Sequence, residues 1–370
     1  AGEDSVYDAA FMRAGIVRVD TIGELFDCAE LMARQPRPTG ARLAVITNAG
    51  GPGVMAADSL SHYGSEPAPL NPDTISKLNA VLPSLWSRSN PIDILGDASP
   101  ERYAGAVEIC VAAREFDGVL VILSPQAMTD PTAVAEMLAS TFQKRRYSLF
   151  TAWMGGVDVA RGKEILNQTG IPTYDTPEQA IRAFFYMVDY SHNLKTLQEI
   201  PPKLPRSIAV DRGKAREIID TAMGGKRPVL IELESKALLA SYGLPVNQTE
   251  KAASAQDALG LAHMIGYPLV MKILSPDILH KTDADGIRLD LRTEADVRTA
   301  YDEIIANARD YDPGAHIQGV SLQSMIGQPD YEILLGAKQD ENFGPVILFG
   351  MGGIFTEALQ DRAIGLPPLN

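Results

Sequence analysis

Of 370 residues, only two are cysteine, Cys28 and Cys110, and only five are histidine. Two thiols so far apart match neither a metal-ligand spacing nor a disulfide framework, which points to buried thiols in a reducing cytoplasm. Positive charge is scarce as well: 33 Lys and Arg stand against 47 Asp and Glu, a formal net charge of −14. Nonspecific nucleic-acid binding depends on clustered cations, so a broad phosphate-backbone footprint is excluded and any polyanionic ligand must be held locally. No apolar run approaches the roughly 20 residues of a membrane-crossing helix. With 45% apolar and 22% charged residues, the chain has the composition of an ordinary globular protein, long enough for two or three domains with separate cores.

Residues 1–40 read as two helical segments, EDSVYDAAFMRA and TIGELFDCAELMARQ, around GIVRV, with RPTG as a boundary. From Arg42 the short apolar runs RLAVIT, DGVLVILS, YSLFTAWM and GIPTY alternate with amphipathic stretches that begin near Gly53, Pro100, Pro131, Val157 and Pro177. Continuous apolar strands separated by helices predict an α/β fold, a flavodoxin-like doubly wound parallel sheet covered on both faces and ending near His192. Pro201, Pro202 and Pro205 then interrupt any regular element and mark a linker. After Arg227 the helices LIELESKALLASYG and SAQDALGLAHMIG, stopped by Gly243 and Gly266, precede five strand-like runs with one long helix, TEADVRTAYDEIIANARD, among them. That order predicts a second, α+β domain with antiparallel pairing. The expected division is 1–40, 41–195, a linker at 196–228, and 229–370.

Four motifs can carry chemistry. TNAGGPGV follows a strand and opens a helix, so the free N–H groups around Asn48, Gly50, Gly51 and Gly53 can face an anion; the same glycines also suit a tight turn with no ligand. In SNPIDILGD, Asp93 and Asp97 can orient a cation or an imidazole, or serve as turn formers in a solvated loop. Lys272 ends an apolar strand and can meet a phosphate, or snorkel to solvent. It leads into SPDILHKTDADG, where His280 can transfer a proton, bind a metal or carry a phosphoryl group, although a loop histidine is more often simply solvated. FGMGGIFTEALQD places Glu357 and Asp361 at helical spacing, suited to Mg²⁺ beside a nucleotide or to an exposed acidic face.

Taken in order, TNAGGPGV, NPID, GIPTYDTPEQA, ESKALLASYGLPV, GYPLVMKILSPDILHKTD, FGPVILFGMGGIFTE and LPPL resemble the NDP-forming (ADP-forming) acyl-CoA synthetases, relatives of succinyl-CoA synthetase. The resemblance covers essentially the whole chain. It implies a succinyl-CoA-ligase-like flavodoxin domain, then a partial ATP-grasp domain, and a reaction in which ATP, a carboxylate and CoA give ADP, phosphate and acyl-CoA through an acyl phosphate and a phosphohistidine. His280 matches the histidine of the family's HK[ST]D loop and would be the phosphoryl carrier, with Lys281 and Asp283 supporting the loop. Lys272 would hold ATP phosphates, Gln323 and Met325 would lie at the adenine hinge, and Glu357 would sit near Mg²⁺. Asn48, Gly50, Gly51 and Gly53 would stabilise the phosphohistidine. ATP, Mg²⁺ and CoA are thus the expected cofactors and substrates, small molecules the expected partners, and a homo-oligomer an open expectation.

This chain departs from the family where Asp285 stands at the first of two expected glycines, bringing a carboxylate toward the phosphate path. The absence of an initiator methionine, of the family's SHTG-like loop and CoA-binding domain before Ala1, and of a closing element after GLPPLN leads us to expect an internal fragment. Bacterial single-chain members often carry a GNAT acetyltransferase domain. The alternative function is therefore a regulatory binding region of a lysine acetyltransferase, and a third is a carboxylate–amine ATP-grasp ligase, which leaves the first domain unexplained.

Overall fold

The computed structural model describes residues 3–142, 147–198, 209–327, 329–353 and 362–369. They form two compact units, the first holding the residues up to 198 with Leu334–Gly350 and 362–369, the second holding the remainder.

The first unit opens with α1 (Asp4–Ala14), closed by Gly15 at φ +70°, and α2 (Ile22–Arg34), whose N-cap Thr21 accepts the Glu24 N–H. There follow β1 (Leu43–Thr47), α3 (Gly50–His62), α4 (Pro72–Val81), β2 (Ile92–Asp93), α5 (Pro100–Ala112), β3 (Gly118–Leu123) and α6 (Pro131–Phe142). β4 (Leu149–Trp153), α7 (Ala160–Gln168), β5 (Thr173–Tyr174) and α8 (Pro177–Gln198) complete it. Pairing is parallel in the order β2-β1-β3-β4-β5, the flavodoxin-like order. Every residue of β1, β3 and β4 is buried. Alternate side chains enter two cores: Ala44, Ile46, Val119, Val121 and Trp153 on one face, Leu43, Val45, Leu120, Ile122 and Phe150 on the other. Two covered faces are why these strands read as unbroken apolar runs.

The second unit begins inside the stretch expected to be a linker. Residues 196–228 contain α9 (Arg212–Gly224), capped by the Asp211 carboxylate, which accepts the Lys214 N–H. The three prolines stop short of Asp211, and Ala215 and Ala222, two turns apart, give α9 one narrow buried stripe. It packs on α10 (Glu232–Ser241), where Arg227 forks onto Glu234 at 2.6 and 2.8 Å. Then come β6 (Thr249–Ala252), α11 (Ala255–Ile265), β7 (Leu269–Leu274), β8 (Ile287–Leu291), α12 (Glu294–Tyr311) and β9 (Gly319–Ser324). The sheet runs β6-β9-β7-β8, antiparallel throughout, as the α+β pattern predicts. Ala258, Ala262, Val297, Ala300 and Ile304 from α11 and α12 cover it.

The strands β10 (Ile333–Asp340), β11 (Gly344–Met351) and β12 (Arg362–Gly365) form a separate sheet. The sequence pattern places them in the run that starts at 229, whereas by contact they group almost wholly with the first unit. There Lys338 reaches Glu3 at 2.6 Å and Phe343 packs edge-on against Tyr7. Among the described residues no helix is long and apolar enough to cross a membrane.

Candidate functional site

Two places bear on chemistry. In the first unit the strand order reverses between β1 and β3, and in such sheets ligands bind beyond the carboxyl ends of the strands at that point. TNAGGPGV lies there. Asn48 is buried, its Oδ1 accepting the Ser124 N–H and its Nδ2 donating to the Ser124 carbonyl, both at 2.9 Å, so it ties the ends of β1 and β3 together. The Thr47 hydroxyl both donates to the Ala49 carbonyl and accepts its N–H. α3 then starts with no side-chain cap. Gly51 faces open space, whereas a Cβ on Gly53 would meet the Thr47 methyl at 3.1 Å and Pro91 at 3.4 Å. The expected anion-facing set thus divides: Gly50 and Gly51 leave the helix end uncovered, while Asn48 and Gly53 build the turn. Asp93 lies beside it, its carboxylate 3.5 Å from where a Gly50 Cβ would stand. Asp97 is committed to Arg102 at 2.6 Å, a hydrogen bond that holds its carboxyl below the usual value.

In the second unit four charged side chains converge. Glu232, at the start of α10, accepts a 2.8 Å hydrogen bond from Lys272 on β7. Lys236, one turn further along α10, lies 3.4 Å from the same oxygen, and Lys281 lies 3.8 Å from the other. Lys236 also donates to Thr249 Oγ1 on β6 and Gln323 Oε1 on β9, each at 2.5 Å. Burial by itself would raise the Glu232 carboxyl, but the Lys272 hydrogen bond and the three ammonium charges outweigh it and leave the group below its ordinary value. Burial likewise pushes the Lys236 ammonium down, against the pull of Glu232.

Lys281 belongs to the loop 275–286, which joins β7 to β8. Ile278 and Ala284 are buried in the core of the unit, while His280, Thr282 and Asp283 between them are exposed. The loop closes on itself: Asp283 N–H donates to the His280 carbonyl at 3.2 Å, Gly286 N–H to the Lys281 carbonyl at 2.8 Å, and Ile273 N–H to the Gly286 carbonyl at 2.7 Å. A Cβ on Gly286 would stand 2.6 Å from Ile273 Cγ2, so only glycine lets the loop close this tightly. His280 is therefore held out at the tip between two buried anchors, next to the lysine that faces Glu232.

The structure brings Lys272, Lys281 and Gln323 into one cluster, with His280 one residue from it. Met325 lies just past β9, its N–H donating to the Pro268 carbonyl at 2.9 Å. Asp283 contributes its backbone, with an exposed side chain. Glu357 and Asp361 lie outside the described residues. Among the described residues no group of three or more His, Cys, Asp or Glu is arranged to hold a metal.

Two domain families match the chain. The Ligase-CoA domain family matches residues 43–187 and the ATP-grasp domain family matches residues 221–370. The Acetate–CoA ligase [ADP-forming] I of Archaeoglobus fulgidus is 37% identical over 371 residues, covering all of this chain and 52% of its own. The 4-hydroxybutyrate–CoA ligase [ADP-forming] of Nitrosopumilus maritimus is 34% identical over 368 residues, with the same coverage. The chain belongs to the ADP-forming acyl-CoA synthetase family. It spans about half the length of these curated relatives. Among solved structures, the dinucleotide forming Acetyl-coenzyme A synthetase 1 of Ca. Korarchaeum cryptofilum, in complex with phosphate and ADP, superposes with a TM-score of 0.51 and 28% identity, over 54% of this chain and 43% of that one.

Asp285 behaves differently from its expectation. Its φ of +43° is one that glycine adopts freely, and its carboxylate turns away to Arg288, at 2.9 and 3.0 Å, and to Asn307 at 2.9 Å. The departure from glycine thus brings a clamp, the carboxylate being held by Arg288 and Asn307. Glu232 and Lys236 were not singled out by sequence reasoning, although their i, i+4 spacing on an amphipathic helix was visible. Nothing in that pattern says that the pair points inward.

Proposed function

We propose that the protein is an ADP-forming acyl-CoA synthetase: ATP, a short carboxylic acid and CoA become ADP, phosphate and acyl-CoA, with His280 as the phosphoryl carrier. The observation that carries this is the placement of His280, exposed on a loop pinned at Ile278 and Ala284 and one residue from a lysine that faces Lys272 across Glu232. A neutral imidazole nitrogen forms a P–N bond to the γ-phosphorus as the bond to the bridging oxygen breaks and its electron pair leaves with ADP. A carboxylate oxygen then attacks phosphorus, the P–N bond breaks, and acyl phosphate forms with the imidazole restored. The CoA sulfur attacks the acyl carbon, phosphate leaves, and the thiol proton goes to solvent. Lysines can balance charge on the phosphates in the first step, and the open helix end at Gly50 and Gly51 can do so for the carrier's phosphoryl group. Mg²⁺, the family's metal, would neutralise ATP phosphate charge when bound.

The test is ADP release by the whole gene product from Mg·ATP, acetate or another short acid, and CoA. CoA-dependent release that falls by more than about a thousandfold in His280→Ala is expected, the scale of loss on removing a covalent carrier. Equal rates in both proteins would remove His280 from the reaction. No turnover with any short acid, with nucleotide still bound, would favour the regulatory region of an acetyltransferase instead.

A further inference from the structure

Glu232, Lys236, Lys272 and Lys281 differ in how many of their hydrogen-bonding positions are filled. An ammonium has three donors. Lys236 faces three acceptors, Thr249 Oγ1, Gln323 Oε1 and Glu232 Oε1, and so has none to spare. Lys272 uses one donor on Glu232, and Lys281 stands beyond hydrogen-bond reach of it. The Glu232 oxygen on the Lys281 side is buried and accepts no hydrogen bond. One carboxylate among three ammonium groups leaves a surplus of two positive charges, carried by the two lysines with free donors.

We infer that Glu232 is a positioning residue, which aims Lys272 and Lys281 at a common polyphosphate anion, and that Lys236 is the strut that fixes Glu232 rather than a ligand of that anion. The strut follows from connectivity, because Lys236 ties α10 to β6 and β9 while Glu232 reaches from α10 to β7. The aim follows from Lys281, which brings the loop carrying His280 to the same carboxylate. The identity of the anion as the nucleotide's phosphates rests on the function proposed above; the arrangement of the lysines does not.

The experiment is trace acetylation of the full chain with acetic anhydride, each lysine read by mass spectrometry, in the wild type, Glu232→Gln and Lys236→Met, with and without Mg·ADP. Glu232→Gln releases Lys272 from its charged hydrogen-bond partner and Lys281 from the carboxylate it faces, so both amines should react measurably faster in that variant. Lys272 should also quicken in Lys236→Met, in which Glu232 has lost its strut. Mg·ADP should protect Lys272 and Lys281 in the wild type and leave Lys236 unchanged. Unaltered reactivity of Lys272 and Lys281 in Glu232→Gln would overturn the positioning role, and protection of Lys236 equal to that of Lys272 would overturn the strut. Acceleration in the variants with no protection by ADP would leave the positioning role standing and sink the nucleotide-binding reading. Should circular dichroism show Glu232→Gln unfolded, Glu232→Asp decides: it keeps the charge and shortens the reach, so Lys281, already 3.8 Å away, should quicken more than Lys272.

Discussion

Asp285 keeps a left-handed backbone that costs an ordinary side chain strain but is several-fold more tolerated by Asp than by most residues. Its compensation is Arg288, which grips both carboxylate oxygens and the carbonyl of the same residue. That hydrogen bond, then the guanidinium charge, hold the Asp285 carboxyl below its ordinary value of 3.8. A carboxyl depressed in the folded loop stabilises it fully above the unfolded value and loses that effect as pH falls through the lower folded value. The Asp285 side-chain carboxyl carbon followed by NMR should therefore titrate below its ordinary value in the wild type, and its titration should move up toward that value in Arg288→Ala. An Asp285 carboxyl that titrates at its ordinary value in the wild type, or an Arg288→Ala titration matching the wild type, would exclude the clamp. Sequence reasoning found the odd residue but not its partner, because an Arg three residues on in a strand carries no pairing signal until the turn between them is known.

At the level of elements, the most exposed test is the join between β1 and β3. Asn48 satisfies both the N–H and the carbonyl of Ser124, so Asn48→Ala leaves two backbone groups unpartnered in a largely buried place. The expected cost is about 1–3 kcal/mol, read as a lower midpoint in chemical or thermal unfolding. Unchanged stability in Asn48→Ala would mean that the side chain is free to serve a ligand instead. The strands β1, β3 and β4 and the helices between them were legible since burial on both faces leaves no polar interruption. Other elements were not. β2 is two residues long and has no period to detect, α4 lies between two better-marked segments, and β6 reads TEKA, a polar edge strand. α9 buries only Ala215 and Ala222, too small and too far apart to stand out from a proline-rich neighbourhood.

For the whole molecule the difficulty is charge. A chain with a net charge of −14 repels a polyphosphate at long range, so binding must come from one local reversal of sign. The sequence shows Lys272 and Lys281 as separate lysines on a strand and a loop. Only packing of α10 on the sheet brings Lys236 and Glu232 to them, and no spacing rule links residues on one helix, one strand and a loop. If the cluster is where nucleotide phosphates sit, Mg·ADP should slow amide hydrogen exchange in β7, the loop 275–286, the first turn of α10 and the end of β9. At 100 times its Kd a ligand stabilises by about 2.7 kcal/mol, so amides there that exchange only through opening of the unit should slow about a hundredfold. Lys272→Met should abolish that protection, because it removes the lysine with both a carboxylate partner and free donors. Protection that appears at the opening of α3 and spares the lysine cluster would put the nucleotide at the crevice of the parallel sheet, and would leave the lysines of the second unit as structural ion pairs around Glu232.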